Sequence, residues 1–317
     1  MNRNCPLYAL KSKKQLKLKL KIADNKYIKD RFQDDINIFI DRTMKPRLIE
    51  APCQELKHIQ SNIKNCLHMC DFPDYVFSGV KNKTYLKNAY MHKDCKYMFK
   101  ADISAFFPNV SRNTIYEFFK YDLNTSSDIA KILTDICTVN IAKSINNDED
   151  VKEFVAFKNI RQKHHLCTGS PASPLLSYLA NKKMFDELKN IADTYNYVFT
   201  IYVDDVFFSS LKPIPNSVQK RIIKTITKYG YNISKSKVTY YKPQDYKKVT
   251  GVIISPDNKL LVPNKLKRKI VNSFSKGKYT VSEQSMQGML FAARKIEDNI
   301  FSGINNHLLN SKKERSN

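Results

Sequence analysis

Two adjacent aspartates, Asp204 and Asp205, separate two β-rich runs at 198–202 and 206–210. Runs of that kind divided by three residues predict a hairpin with the acids at its tip. A third acid, Asp102, ends another apolar, strand-like stretch at 97–103. Carboxylates that close apolar strands are costly unless water, donors or cations compensate them. If the two stretches are sheet neighbours, Asp102 and Asp204 meet at one edge. Like charges so placed repel unless a divalent cation stands between them, and an all-oxygen carboxylate set suits Mg²⁺. Two metals held there could activate an attacking hydroxyl and stabilise a leaving pyrophosphate. Taken alone, Asp204-Asp205 also reads as a plain polar turn.

The rest of the pattern says what surrounds that edge. Residues 1–45 mix lysines with apolar positions and predict one or two helices with a basic face. An extended piece at 47–52 precedes Leu56, Ile59, Ile63 and Leu67, which recur at helical spacing. Ile129, Ile132, Leu133, Ile136 and Cys137 predict another amphipathic helix, whereas 141–165 is polar and basic without a clear period. A longer helix follows Ser173-Pro174, with Leu176, Leu179, Met184, Leu188 and Ile191 on one side. Val218, Ile222, Ile226 and Tyr229 form a further stripe, closed by Gly230 at the expected capping position. Short strands fit 236–241 and 249–255. Beyond Pro263 the pattern is helical, with Leu266, Ile270 and Phe274 in one helix and Met286, Met289, Leu290 and Ala293 in the next. Strand, helices, hairpin, helix, strand is the order of a split β-α-β sheet with helices on one face.

Charge points to the partner. The 317 residues carry 54 basic and 30 acidic side chains, a net +24, and 44 of the cations are lysine. Such a surplus draws polyanions. Lysine grips phosphates as a point charge without fixing a planar geometry, which favours backbone tracking over base reading. With only 7 glycines, Gly-rich phosphate loops are poorly supported. No stretch approaches the roughly 18 apolar residues of a membrane span, and the basic opening lacks the apolar core of a signal peptide, so a cytoplasmic protein is expected. Seven scattered cysteines argue against a disulfide framework. Cys66, His68 and Cys70 are too crowded for all three to hold a zinc ion.

Three words then occur in order: Phe-Lys-Ala-Asp102-Ile-Ser-Ala-Phe-Phe107, Thr-Gly169-Ser-Pro-Ala-Ser-Pro174 and Tyr202-Val-Asp-Asp205. Together they resemble the core motifs of reverse transcriptases, over about 47–293. Asn88-Ala-Tyr-Met-His92, just ahead of the first word, and Val249-Thr-Gly251, after the last, are similar to two boxes of retron reverse transcriptases. The resemblance implies an α+β right-hand polymerase with fingers, a ferredoxin-like palm and a helical thumb. The N-terminal region and fingers would occupy 1–96, the palm 97–255 with a fingers insertion at about 110–168, and the thumb 256–317.

It also implies roles. Asp102, Asp204 and Asp205 match the carboxylates that bind two Mg²⁺ ions, with Ile103 adding a backbone carbonyl; Asp205 is the one that stands further off. Phe107 matches the ring that crowds a sugar 2′-hydroxyl, and Phe106 is assigned to the core. Arg47 matches the arginine that reaches the incoming triphosphate. Gly169 and Ser170 would bring backbone close to the nucleotide, beside Tyr202. Lys237 matches the lysine that protonates leaving pyrophosphate, with Lys235 as the rival. Asn88, His92, Val249, Thr250 and Gly251 would hold RNA. Lys265, Lys267, Arg268, Lys269, Lys276 and Lys278 fit a thumb lying along duplex phosphates. The chain departs from the family at Thr168, where Gln is usual, at Val203, where retrons mostly carry Ala, and at Ser234, where Asn is usual.

The partners so implied are dNTPs, a structured non-coding RNA copied into msDNA from an internal guanosine 2′-hydroxyl, and an accessory effector in bacterial anti-phage defence. A protein-primed or untemplated defence-associated reverse transcriptase, or a catalytically idle RNA-binding scaffold, are the competing readings.

Overall fold

Alternation along one strand decides which face of the sheet is buried and which is left for chemistry. The computed structural model describes residues 2–29, 32–43, 45–275 and 278–308. In chain order its strands are β1 Ile36–Asp41, β2 Arg47–Pro52, β3 Tyr97–Ser104, β4 Thr138–Asn140, β5 His164–Leu166, β6 Val198–Tyr202, β7 Asp205–Ser210, β8 Asn232–Ile233, β9 Thr239–Tyr241, β10 Lys247–Val249, β11 Val252–Ile254, β12 Leu260–Leu261, β13 Phe274–Ser275 and β14 Lys278–Tyr279. The central sheet has the order β6-β7-β3-β8, and β9 also pairs with β3. Every pairing is antiparallel. That is the split β-α-β arrangement expected, with β3 central.

On β3, side chains point alternately to the two faces. Phe99, Ala101 and Ile103 join the main core, together with Phe199, Ile201, Val206 and Phe208 of the hairpin. Helices Ser173–Ala180, Lys182–Thr194 and Asn216–Lys228 supply Leu176, Leu188 and Ile222 to that same core. The opposite face carries Met98, Lys100 and Asp102. Part of it is covered by helix Tyr85–Met91 and by the β10–β11 hairpin, through a separate cluster of Ala89, Met98, Phe207, Val249, Val252 and Ile254. The remainder is open.

Several elements depart from the sequence expectation for identifiable reasons. Residues 36–41 form a strand paired with β2, register Asp41↔Arg47, because Ile36, Ile38 and Ile40 alternate. Only Lys13–Leu20 is α-helical before them. The long helix after Pro174 breaks at Asn181, whose amide donates to the Ser177 carbonyl (2.9 Å) and accepts from the Tyr231 hydroxyl (2.6 Å). The aperiodic 141–165 stretch holds helices Ala142–Asn147 and Glu149–Phe157 and then β5; of the two helices' residues only Val151 is fully buried, so no stripe shows. Phe274 lies beyond its helix, which ends at Asn272, in a strand pair with Lys278–Tyr279. The C-terminal helices have their own small core of Val262, Ile270, Met286, Leu290, Ala293 and Leu308. Lys276 lies outside the described residues. Among those described, no helix is long and apolar enough to cross a membrane.

Candidate active site

The hairpin that carries the acids is tighter than its sequence indicates. Tyr202 pairs with Asp205, so only Val203 and Asp204 form the turn, and Asp205 stands in β7 opposite Asp102. Val203 has a φ of 58°, an unusual conformation for a β-branched residue. Ile103 donates its N–H to the Asp204 carbonyl (2.8 Å). In an antiparallel ladder a residue's N–H and C=O face the same neighbour, so the Ile103 carbonyl points to the acidic turn as well.

Lysines meet two of the three carboxylates. Lys237 Nζ lies 2.6 Å from Asp102, which is 5% exposed. Lys100, two residues before Asp102 and on the same face, places Nζ 2.9 and 3.0 Å from the two oxygens of Asp205. Asp204 has no such partner among the described residues. Burial, and then the negative charges of Asp102 and Asp205, push its carboxyl up to about 6. Burial also raises Asp205, against the pull of Lys100.

These groups line one wall of a cleft of about 1060 Å³. Arg47, Phe107, Tyr202, Thr250 and Gly251 line it too, so five more of the expected site residues share the space. Phe106 and Phe107 both border the cleft, but Phe107 is half-buried, whereas Phe106 is 4% exposed and packs edge-on against Tyr231 (5.2 Å) and Phe185 (6.1 Å). Lys45, Lys158 and Lys248 add cations at the rim. Lys235 is not among the lining residues, so the geometry selects Lys237 of the two candidates.

Gly169, half-buried, and Ser170, buried, stand behind the residues that line the cleft. A Cβ on Gly169 would stand 2.0 Å from the Glu50 carbonyl, so this glycine serves a close approach to β2. Ser170 is 4% exposed, and its hydroxyl accepts from the Ala172 N–H. Thr168 is the turn residue that reaches the cleft, with its N–H donated to Glu50 (2.7 Å).

Of the residues expected to hold RNA, Asn88, His92 and Val249 are each fully buried. Direct contact with RNA is incompatible with that burial. His92 Nδ1 lies 2.6 Å from Ser209 Oγ and Nε2 lies 2.7 Å from Thr200 Oγ1, so one imidazole spans β7 and β6. Burial pushes it down to about 3, which keeps it neutral. Asn88 Nδ2 stands 3.5 Å from Thr250 Oγ1, and that hydroxyl donates to the Tyr85 carbonyl. Thr250 and Gly251, with φ of 43° and 89°, form the β10–β11 turn at the cleft. The two boxes therefore build one internal module with only its tip on the site.

Sequence reasoning missed Lys100, although its spacing from Asp102 on a strand placed it on the acids' face. It also missed the buried pair Glu50–His165. His165 Nε2 lies 2.6 Å from Glu50, and Nδ1 lies 2.6 Å from the Gln162 carbonyl. Nothing local in the sequence links residues 115 apart.

A divalent cation would find a suitable donor set here. Asp102 and Asp205 add to the cost of ionising Asp204, and the compensation present is lysine ammonium on Asp102 and Asp205. That is chemistry a hard cation relieves, and Asp102 and Asp204, with the Ile103 carbonyl, fit it. Asp205, already held by Lys100, is the weaker donor.

A three-acid sheet edge, with Asp102 buried and Asp204 and Asp205 half-buried, in a cation-rimmed cleft on a split β-α-β sheet defines a nucleotidyl-transfer class of site. The family described as reverse transcriptase (RNA-dependent DNA polymerase) matches residues 29–254, and the chain belongs to it. Within that family several curated relatives are retron enzymes. It is 24% identical to the retron Se72 reverse transcriptase of Salmonella heidelberg over 64% of this chain and 49% of that protein. It is 26% identical to the retron Ec86 reverse transcriptase of Escherichia coli over 67% of this chain and 59% of the relative. For the retron Ec83 reverse transcriptase of Escherichia coli the figures are 25%, 81% and 80%. The match thus spans half to three-fifths of the first two relatives. These likenesses agree with the retron-type reading of the motifs.

Proposed function

We propose that the chain is an RNA-directed DNA polymerase of retron type. The observation that supports this best is the meeting of Asp102, Asp204 and Asp205 at one sheet edge, where burial and then the two neighbouring acids raise the Asp204 carboxyl, on a cleft lined by Lys237, Arg47 and Phe107. In this reading 1–96 is the N-terminal region and fingers, 97–255 is the palm with a fingers insertion at about 110–168, and 256–317 is the thumb. Asp102 and Asp204, with Ile103 and a contribution from Asp205, would hold two Mg²⁺ ions, which supply Lewis-acid activation of a hydroxyl and charge neutralisation of phosphates.

The chain's own residues account for the remaining work. Arg47 at the mouth of the cleft can grip a triphosphate through a planar fork. Lys237 holds a proton at Nζ beside Asp102 and can release it to the departing pyrophosphate. Phe107 crowds the sugar 2′ position and so selects deoxynucleotides. Thr250 and Gly251 offer a backbone turn to template RNA, whose recognition relies on shape and 2′-hydroxyls.

The template would be a structured non-coding RNA encoded beside the gene, primed from a guanosine 2′-hydroxyl to give msDNA, with an accessory effector completing an anti-phage system in the bacterial cytoplasm. Expression with the native locus tests this. A branched RNA–DNA molecule bound to the protein is the expected product. Linear DNA alone, or DNA joined to a protein side chain, rejects retron priming but leaves polymerase activity standing. No extension of any primed template rejects the polymerase itself.

A further inference from the structure

The far end of β3 carries a second basic recess that the polymerase reading does not use. It has a volume of about 390 Å³ and lies between the start of β3, the residues following β7, and β10. Tyr97 and Asp102 are five residues apart, about 17 Å along a strand, so the recess is separate from the acidic cleft.

Its unusual member is Lys247. This lysine is 1% exposed yet lines the recess. In β10 it is two residues from Val249 and therefore on the same, inward face. Its ammonium has no hydrogen-bond or ion-pair partner among the described residues. The nearby carboxylate of Asp245 accepts instead from the Lys242 N–H (2.8 Å). Burial pushes the Lys247 ammonium below its ordinary range. A cation set so deep is costly unless counter-charge meets it, and Asp245, which acts on it from nearby, leaves room for more. The rest of the recess is built to receive it. Lys96 and Lys212 add two exposed ammoniums, Tyr97 and Asn258 add hydrogen-bonding groups, and Asp94 is the one carboxylate that lines it. Tyr97 is itself held by stacking on Tyr240 (6.3 Å between ring centres).

We propose that this recess binds a phosphate group, with Lys247 as its buried anchor and Lys96 and Lys212 at its rim. Three ammoniums against Asp94 and the neighbouring Asp245 leave a positive surplus that suits an oxyanion, and lysine serves phosphate as a point charge. The phosphate can belong to a bound RNA backbone or be free in solution.

The full chain, Lys247→Met and the rim pair Lys96→Ala/Lys212→Ala separate these sources. Melting is followed in inorganic phosphate and in chloride at equal ionic strength, and binding of an unstructured RNA is followed against salt. For a free-phosphate site, phosphate raises the melting temperature of the full chain by about 2 °C or more and leaves both variants unmoved. For an internucleotide phosphate, Lys247→Met lowers the slope of log affinity against log salt by about one, and the rim pair lowers it by at least as much. Either result supports the site. Variants matching the full chain in both measurements overturn it, and if Lys247→Met does not fold, the rim pair alone decides by the same criteria.

Discussion

Two groups of buried polar side chains flank the same sheet, and they are handled in opposite ways. Around Glu50–His165 and His92, most donors and acceptors are used: Glu50 takes an imidazole and the Thr168 N–H, and His92 takes a hydroxyl on each ring nitrogen. At the acidic turn, three carboxylates share two lysines and Asp204 is left over. The satisfied groups fix positions: Glu50 ties the turn bearing Thr168 to the strand that starts at Arg47, and His92 pins the two arms of the acidic hairpin. The unsatisfied group stores electrostatic cost where a ligand can relieve it, the usual trade between stability and activity. The contrast shows where this chain places precision and where it places reactivity.

The contrast is broken most severely at its reactive end. Asp204→Asn should reduce primer extension by about 10²–10⁴-fold. The same substitution should stabilise the fold. The Asp204 pKa is about 6 in the folded protein against 3.8 in the reference state, so the protonated form is favoured by folding. That stability is fully present below pH 3.8 and is lost as pH rises through about 6. Asparagine retains it, so the variant should gain roughly 1–2 kcal/mol at pH 8 and nothing below pH 4. Thermal melts at both pH values check this, and a variant less stable than the parent at pH 8 would show that Asp204 is not strained.

At the satisfied end, Glu50→Ala leaves His165 and the Thr168 N–H without their partner and should cost about 3 kcal/mol, measurable by urea unfolding. Glu50→Gln keeps the amide contact and should cost less. His92→Ala removes the link between β6 and β7, with an expected loss of about 2 kcal/mol, and should slow extension on an ordinary primed template as much as on the native RNA. A defect confined to the native RNA would return His92 to an RNA-specific role. The smallest expected effect is at Phe107. Phe107→Val should raise single ribonucleotide incorporation by about tenfold, whereas Phe106→Val should mainly lower the melting temperature.

The elements near the acids were legible because chemistry and period coincide there: β3, β6 and β7 are apolar runs interrupted by charge, and helix Asn216–Lys228 has a clean stripe. The site residues legible from sequence were those whose side chains face the cleft. Burial was the blind spot. Asn88, His92 and Gly169 are short motif words that a sequence presents as contacts, and they are internal supports because their partners, Thr250, Thr200 with Ser209, and Glu50, arrive from distant segments. Residues 141–165 gave no pattern because each short element buries too little to leave one.

The acidic edge is also assembled across long stretches of chain. Lys100 and Asp205 are separated by 105 residues, and Lys237 and Asp102 by 135. Synthesis proceeds at about 5–20 residues per second, so on the ribosome Asp102 waits at least several seconds for its lysine. Until β7 is made the central strand has neither neighbour, and an edge as apolar as Met98-Phe99 is exposed to other chains. A nascent protein of this design acquires its reactive edge only after β7 and then the segment bearing Lys237 have joined the sheet, and chaperone cover in that interval would protect the open strand.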